Sequence, residues 1–259
     1  DIRAYQKCNP ALGDFRSVEE LKTSIERAKQ IPAQENTVRR LYGNQWTEQA
    51  SRWLQMAAWD ACKPAVAASE CVGAPCYAGL DLGQSDDLCA FVLIWVLEDG
   101  RVAVKPRFWL PEAALLKYPN RPYADWKRAG VLEDTEGDIT DYGQVEKAVG
   151  EDCLAAGVIE CGFDKRFALQ MAQNLQGLGI TMVDTPQGFQ LNEPLRKLSD
   201  LVVSGALCHG NNPILTVMAS NAVVRHGPNN TIRLDKEKAA DKIDGISALT
   251  MALACVVAR

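Results

Sequence analysis

The stretch YAGLDLGQSDDLCAFVLIWVL, residues 77–97, decides the fold. Its second half, Leu88 to Leu97, is a continuous apolar run suited to a strand buried on both faces. Its first half alternates as a strand should: Tyr77, Gly79 and Asp81 fall on one face, Ala78, Leu80 and Leu82 on the other. Asp81 is the anomaly. A buried, unpaired carboxylate costs on the order of several kcal/mol, so it must be neutralised, paired or bound to a cation. Turns and caps do not account for it, whereas Asp86 and Asp87 are explained as turn residues before the next strand.

Outward from this stretch, EDG at 98–100 turns the chain and RVAVKPRFWL alternates as a third strand. Residues 111–157 read as mixed helix and loop, with one clear helix in DYGQVEKAVGEDCLAAG. Within them the acidic EDTEGD at 133–138 reads as a disordered excursion in preference to a contact loop. VIECGFD is a short strand, and KRFALQMAQNLQGLG an amphipathic helix closed by glycine. ITMVDT is another strand and EPLRKLSDLVVSGAL another helix. AVVRHGPNNTIRLD predicts a hairpin around Pro-Asn-Asn. The last helix, Ile243 to Val257, carries Ile243, Ile246, Leu249, Leu253 and Val257 on one side. Three opening strands followed by strand–helix alternation indicate an α/β domain with a mixed sheet flanked by helices.

The beginning of the chain differs. Residues 1–60 read as helical, with Ser17 and Glu20 forming a capping-box pattern at the head of SVEELKTSIERAKQ. Further helices are expected over Ala33–Tyr42 and Thr47–Trp59, with no strand signal. ACKPAVAASECVGAPC, residues 61–76, then reads as a linker to the α/β domain at 77–259. The 259 residues carry a net charge of −5, which announces no nucleic-acid binder but leaves local basic patches open. No apolar run is long enough for a membrane span, and no signal-peptide pattern heads the chain. The nine cysteines are odd in number and without zinc-like spacing, which reads as reduced thiols in a cytoplasmic protein. A start without methionine suggests a fragment.

Further acids stand at chemically suggestive places. Asp164 ends a strand and precedes a helix, and Asp241 and Asp244 lie three apart at the start of the last helix. Brought together at one end of an open sheet with Asp81, they would form an all-oxygen site of the kind Mg²⁺ or Mn²⁺ prefers. Two such ions about 4 Å apart would activate water and stabilise a leaving oxygen in phosphodiester cleavage. The structural alternatives stand beside this. Asp164 also fits a simple helix cap, and Asp241 with Asp244 fits a capping box.

In order, GLDLGQSDDLCAF, GFDKRFA, PQGF, HGNNPILTVMASN and DKEKAADKIDGISALTMAL resemble the motifs of the large terminase subunits of tailed double-stranded-DNA bacteriophages. The resemblance covers nearly all of the chain after Tyr77, and NPALG, SVEELKTSIERAKQ and ENTVRRLYGNQW resemble the closing helical segment of that family's ATPase domain. It implies an RNase H-like mixed sheet flanked by helices and preceded by a small helical segment. It implies a two-metal endonuclease that cuts concatemeric phage DNA, with Asp81 bridging two Mg²⁺ or Mn²⁺ ions and Asp164 and Asp244 completing their shells. Asp241 would be an accessory ligand. Implied partners are double-stranded DNA, the portal protein and the small terminase subunit, in a ring around the portal for the full motor and a monomer for this fragment. The implied location is the cytoplasm of the infected bacterial host, outside the mature virion. The chain has no P-loop, so no ATP hydrolysis is expected of it.

Basic residues near these motifs are candidates for sequence-independent DNA contacts: Lys165, Arg166, Lys236, Lys238, Lys242, Arg196 with Lys197, and Lys105 with Arg107. Each is equally an ordinary solvated charge. His209 and Asn221 would be accessories of the site, although a histidine in a polar loop is more often structural. Two competing functions remain at this level. GLDLG also resembles the phosphate-gripping start of the sugar and acetate kinases, but it continues QSDD, and no second phosphate loop follows. The other is a mainly non-catalytic module that grips DNA or docks on the portal.

Overall fold

The computed structural model describes residues 2–30, 38–45, 53–83, 87–239 and 241–258. They divide into two compact units, Asp1–Gln55 and Met56–Arg259. The first contains helices α1 (Ile2–Cys8) and α2 (Val18–Gln30). The Ser17 hydroxyl accepts from the Glu20 N–H at 3.4 Å, so α2 starts where the capping pattern predicts. Asn9 ties the end of α1 down by donating to the Tyr5 and Tyr42 carbonyls. Residues 38–41 are helical; the first part of the helix expected over Ala33–Tyr42, and 47–52 of that expected over Thr47–Trp59, lie outside the described residues.

The second unit begins before the expected boundary at residue 60 and takes in the stretch 61–76 that reads as a linker. Its first helix, α3, is Met56–Ala61. Trp59 is the physical reason. It is fully buried, donates its indole N–H to Thr216 at 3.2 Å and stacks on His209 with ring centroids 4.4 Å apart. The stretch 61–76 that follows is mostly exposed, with Cys62 and Cys76 buried at its two ends.

The sheet opens with an antiparallel meander of β1 (Cys76–Asp81), β2 (Cys89–Val96) and β3 (Val102–Pro111). After α4 (Glu112–Lys117) and α5 (Tyr123–Arg128), β4 (Glu133–Thr135) pairs parallel with the end of β3. The run EDTEGD is therefore an edge strand at its start and no disordered excursion. Glu133 accepts two hydrogen bonds from Arg107, each 2.8 Å, which gives the acidic segment a fixed partner. Helix α6 (Tyr142–Ala156) is N-capped by Asp141 and closed by Gly157 in the left-handed conformation. Then β5 (Glu160–Phe163), α7 (Lys165–Gly177) and β6 (Met182–Asp184) alternate, with β5 parallel to β1 and β6 parallel to β5. Helix α8 (Asn192–Val203) is shorter than expected, because Leu207–Cys208 leave it to form β7 beside the start of β3. Helix α9 (Pro213–Asn221), the hairpin β8 (Val224–His226) and β9 (Ile232–Leu234), and helix α10 (Asp244–Val257) complete the chain.

The resulting order, β4-β3-β2-β1-β5-β6, puts β1 in the centre of the mixed RNase H-like sheet. On one face Ala78, Leu80, Phe91 and Leu93 pack with Val145 and Val149 of α6 and Met171 and Leu175 of α7. On the other lies α10. Its residues Asp244 to Leu253 are buried all round, because α8 and α9 cover the side turned away from the sheet. The one-sided pattern read from the sequence understates this burial.

Two glycines set how close α10 comes. Gly79 of β1 and Gly162 of β5 are partners across the parallel ladder. A Cβ on Gly79 would strike Ala248 O and Ala252 N, and one on Gly162 would strike Met251 O. The helix backbone thus rests directly on sheet backbone. Gly79→Ala is expected to cost about 1–3 kcal/mol of stability through overpacking, while Gly177→Ala, which has open space around it, should stay within about 1 kcal/mol of wild type. Urea denaturation of the two variants checks this; equal effects would contradict the close seat of α10.

Candidate functional site

The seat of α10 delivers its first residue to the end of the central strand. Asp81 closes β1 and Asp244 opens α10, with side chains 3 % and 12 % exposed. One ammonium serves both: Lys236 Nζ lies 2.9 Å from Asp81 Oδ2 and 3.9 Å from Asp244 Oδ1. The other oxygen of Asp81 accepts from Gln187 Nε2 at 3.1 Å. The other oxygen of Asp244 is buried with no hydrogen-bond partner among the described residues. Burial and the neighbouring Asp81 push the Asp244 carboxyl up to about 7. Burial works against the Lys236 ammonium, but Asp81 and Asp244 outweigh it and raise its pKa.

Asp164 stands at the end of β5, next to β1 in the sheet. It N-caps α7, accepting from the Arg166 N–H at 3.1 Å, and the Arg166 guanidinium closes on the same carboxylate at 2.7 Å. Burial pushes this carboxyl up, yet Arg166 outweighs it and holds it below the usual range. The capping role is therefore real. It does not remove Asp164 from the site, since its charge still acts on Lys236.

A cleft of about 650 Å³ opens over the acid pair, lined by Asp81, Asp87, Arg166, Lys236, Lys242 and Asp244 among others. Its walls mix acids and bases, Asp87 and Asp241 beside Arg121, Arg166 and Lys242, around an acidic floor. Asp241 lies in the same wall, but Arg121 takes both its oxygens at 2.6 and 2.8 Å. The capping box with Asp244 is not formed, because Ile243 is the N-cap of α10. Lys242 pairs with Asp87 at 2.6 Å, and Lys165 with Asp184 at 2.9 Å. Among the described residues, the exposed Lys238 bonds through its backbone, to Asp235. Arg196 bonds to Asn192 and to the Asn230 carbonyl in the hairpin turn, and neither it nor Lys197 lines the cleft.

Other candidates are placed elsewhere. His209 follows β7, beside the start of β3, whereas Asp81 sits level with Ala90 and hence with Phe108 at the far end of that strand. It is buried, stacked on Trp59, with Nδ1 accepting from Asn211 N and Nε2 donating to Trp59 O at 2.8 Å. The accessory role expected of it gives way to a packing one. Arg107 is engaged by Glu133 and Asp152 and covers the Trp109 ring, so it too is structural. Lys105 is exposed on the same strand, away from the cleft. Asn221 donates to Lys242 O at 3.3 Å, steadying the backbone just before Asp244. Three residues of the site escaped sequence reasoning in their present roles. Gln187 belongs to PQGF, one of the motifs of the resemblance; Asp87 reads as a turn residue; Arg121 carries no local signal.

The donor chemistry suits a hard divalent cation: two buried carboxylates that share one ammonium, and one buried oxygen without a partner among the described residues. The gathering is of a pair, however. Among the described residues no group of three or more His, Cys, Asp and Glu side chains is close enough to hold an ion. Lys236 stands between the two acids, and Arg166 holds the third. Among the same residues, no helix is long and apolar enough to cross a membrane.

Comparisons with known proteins give the family. The sequence matches the family described as terminase large subunit, endonuclease domain, over residues 1–259. It is 34 % identical over 258 residues to the large terminase subunit of Enterobacteria phage HK97, covering 96 % of this chain and 50 % of that protein. It is 27 % identical over 268 residues to Protein YmfN of Escherichia coli (strain K12), covering 98 % of this chain and 59 % of that protein. The crystal structure of the HK97 bacteriophage large terminase superposes with a TM-score of 0.72 at 32 % identity, over 98 % of this chain and 54 % of the HK97 chain. The chain thus spans about half the length of the curated relatives it matches. A buried acid pair at the end of the central strand, on this sheet and with these relatives, leaves no support for a sugar-kinase relative: the chain belongs to the terminase large subunit endonuclease-domain family.

Proposed function

We propose that this chain is a divalent-metal-dependent endonuclease that cleaves double-stranded concatemeric phage DNA as part of a packaging motor. The observation that carries the reading is the acid pair, Asp81 and Asp244, buried at the floor of the cleft, with one Asp244 oxygen unpartnered among the described residues. Asp81, Asp244 and Asp164 would hold the Mg²⁺ or Mn²⁺ ions, with Arg166 now on Asp164. Asp241, held by Arg121, serves the wall and not the ions. When bound, the ions supply the charge that activates water and stabilises the leaving oxygen.

The residues of the chain itself position the substrate. Arg166, Lys242 and Arg121 line the cleft, and Lys238 and Lys165 are exposed, where they meet phosphates without reading bases. Gln187 holds the Asp81 carboxylate in one orientation. The unit Asp1–Gln55 is the closing part of an ATPase domain, without ATP hydrolysis of its own, and the unit Met56–Arg259 carries the nuclease. The portal protein and the small terminase subunit are the partners, in a ring around the portal for the full motor and a monomer for this chain alone. The host cytoplasm is the place of action.

Plasmid digestion tests the reading. Cleavage is expected with Mg²⁺ or Mn²⁺, to stop with EDTA, and to fall by roughly a hundredfold or more in Asp81→Ala, Asp164→Ala and Asp244→Ala; cutting that survives chelation would overturn it. A second expectation concerns the metal-free protein. Because the Asp244 carboxyl is raised from 3.8 to about 7, the folded state holds a proton that the unfolded chain has released. Its contribution to stability is full below the unfolded pKa and is lost as pH rises through about 7. Asp244→Asn removes this loss, so in EDTA its urea midpoint should gain on wild type between pH 4.5 and pH 8. A constant gap would contradict the crowded acid pair.

A further inference from the structure

We propose that Lys236 is the built-in counter-cation of the acid pair and competes directly with the divalent ion, leaving the carboxylates when metal enters. The inference rests on the metal-site reading above and concerns this chain's own ammonium. Two carboxylates this buried need positive charge at all times, and Lys236 Nζ supplies it, at 2.9 Å from Asp81 and 3.9 Å from Asp244. Asp164 adds to the field that holds it there. Arg121, Arg166 and Lys242, the other cations lining the cleft, are committed to Asp241, Asp164 and Asp87.

The backbone at this point is fixed while the side chain is free to leave. Asp235, immediately before, donates its N–H to Val223 O at 2.9 Å, and its carboxylate accepts from Lys238 N at 3.3 Å. That ties the residue to the base of the β8–β9 hairpin. The Lys236 side chain is nevertheless 45 % exposed on the cleft side. A four-carbon stem can therefore withdraw the ammonium into the cleft without moving the main chain. An ammonium and a divalent ion cannot share the oxygens between Asp81 and Asp244. Each must weaken the other's binding by the same factor.

The lysine thus has two positions: on the acids when metal is absent, and in the cleft, where a DNA phosphate is its natural partner, when metal is present. Metal occupancy then releases a cation towards the substrate. This makes Lys236 a positioning residue whose removal tightens metal binding, the opposite of what loss of a structural contact would do.

Calorimetric titration of the whole chain with Mn²⁺ alone, without DNA, tests this. Lys236→Met, and the polar Lys236→Gln in case Met perturbs folding, should bind Mn²⁺ about tenfold or more tightly than wild type. Lys236→Arg, which keeps the charge, should stay near wild type. In EDTA the Met and Gln variants should melt below wild type, and saturating Mn²⁺ should close the gap. Equal or weaker Mn²⁺ binding by both neutral variants overturns the proposal while leaving the metal site standing. If wild type binds no Mn²⁺ that Asp81→Asn abolishes, the metal site itself falls and the proposal with it.

Discussion

The close contact between the last helix and the two central strands is the constraint on which the site depends. Gly79 and Gly162 lie side by side in the sheet, and α10 rests on them backbone against backbone. Any side chain there would lift the helix. Asp244 is the first residue of that helix and Asp81 the last of β1, so their separation is set by a packing distance. The flanking glycine in GLD is explained by the helix that crosses it. The geometry of the acid pair and the packing of the core are set by the same contact.

Bringing two carboxylates together in this way creates an electrostatic problem that the surrounding residues answer. Lys236 neutralises the pair, Gln187 satisfies one Asp81 oxygen, and the remaining strain appears as the raised Asp244 carboxyl. Around this floor, Arg121, Arg166 and Lys242 are each held by an acid of their own. Such pairs hold the cations in place at a spot where isolated ones would repel one another.

Much of this was legible along the chain, for identifiable reasons. Asp81 stood out because no local structure explains a carboxylate within an apolar strand. The strands and helices of the α/β domain followed from alternation, glycine stops and caps such as Asp141 and Gly157. Where composition misled, tertiary contacts were the cause. The stretch 61–76 has the small residues and prolines of a tether, yet it lies in the same compact unit as Trp59, which is buried against His209 and Thr216. EDTEGD has the charge of a solvated loop, but Arg107 on a neighbouring strand gives it a partner. His209 was a candidate accessory through the motif HGNNPILTVMASN, against the structural reading that its polar loop favours, and the strand register puts that loop at the other end of the sheet.

By itself, then, the sequence determined the type of domain, the ordered motifs and the identity of the acids, because periodicity and residue chemistry are local properties. Only the tertiary structure decided which charges meet. It paired Asp81 with Lys236 across 155 positions and Asp241 with Arg121 across 120, since the direction of a side chain in a cleft depends on elements distant along the chain.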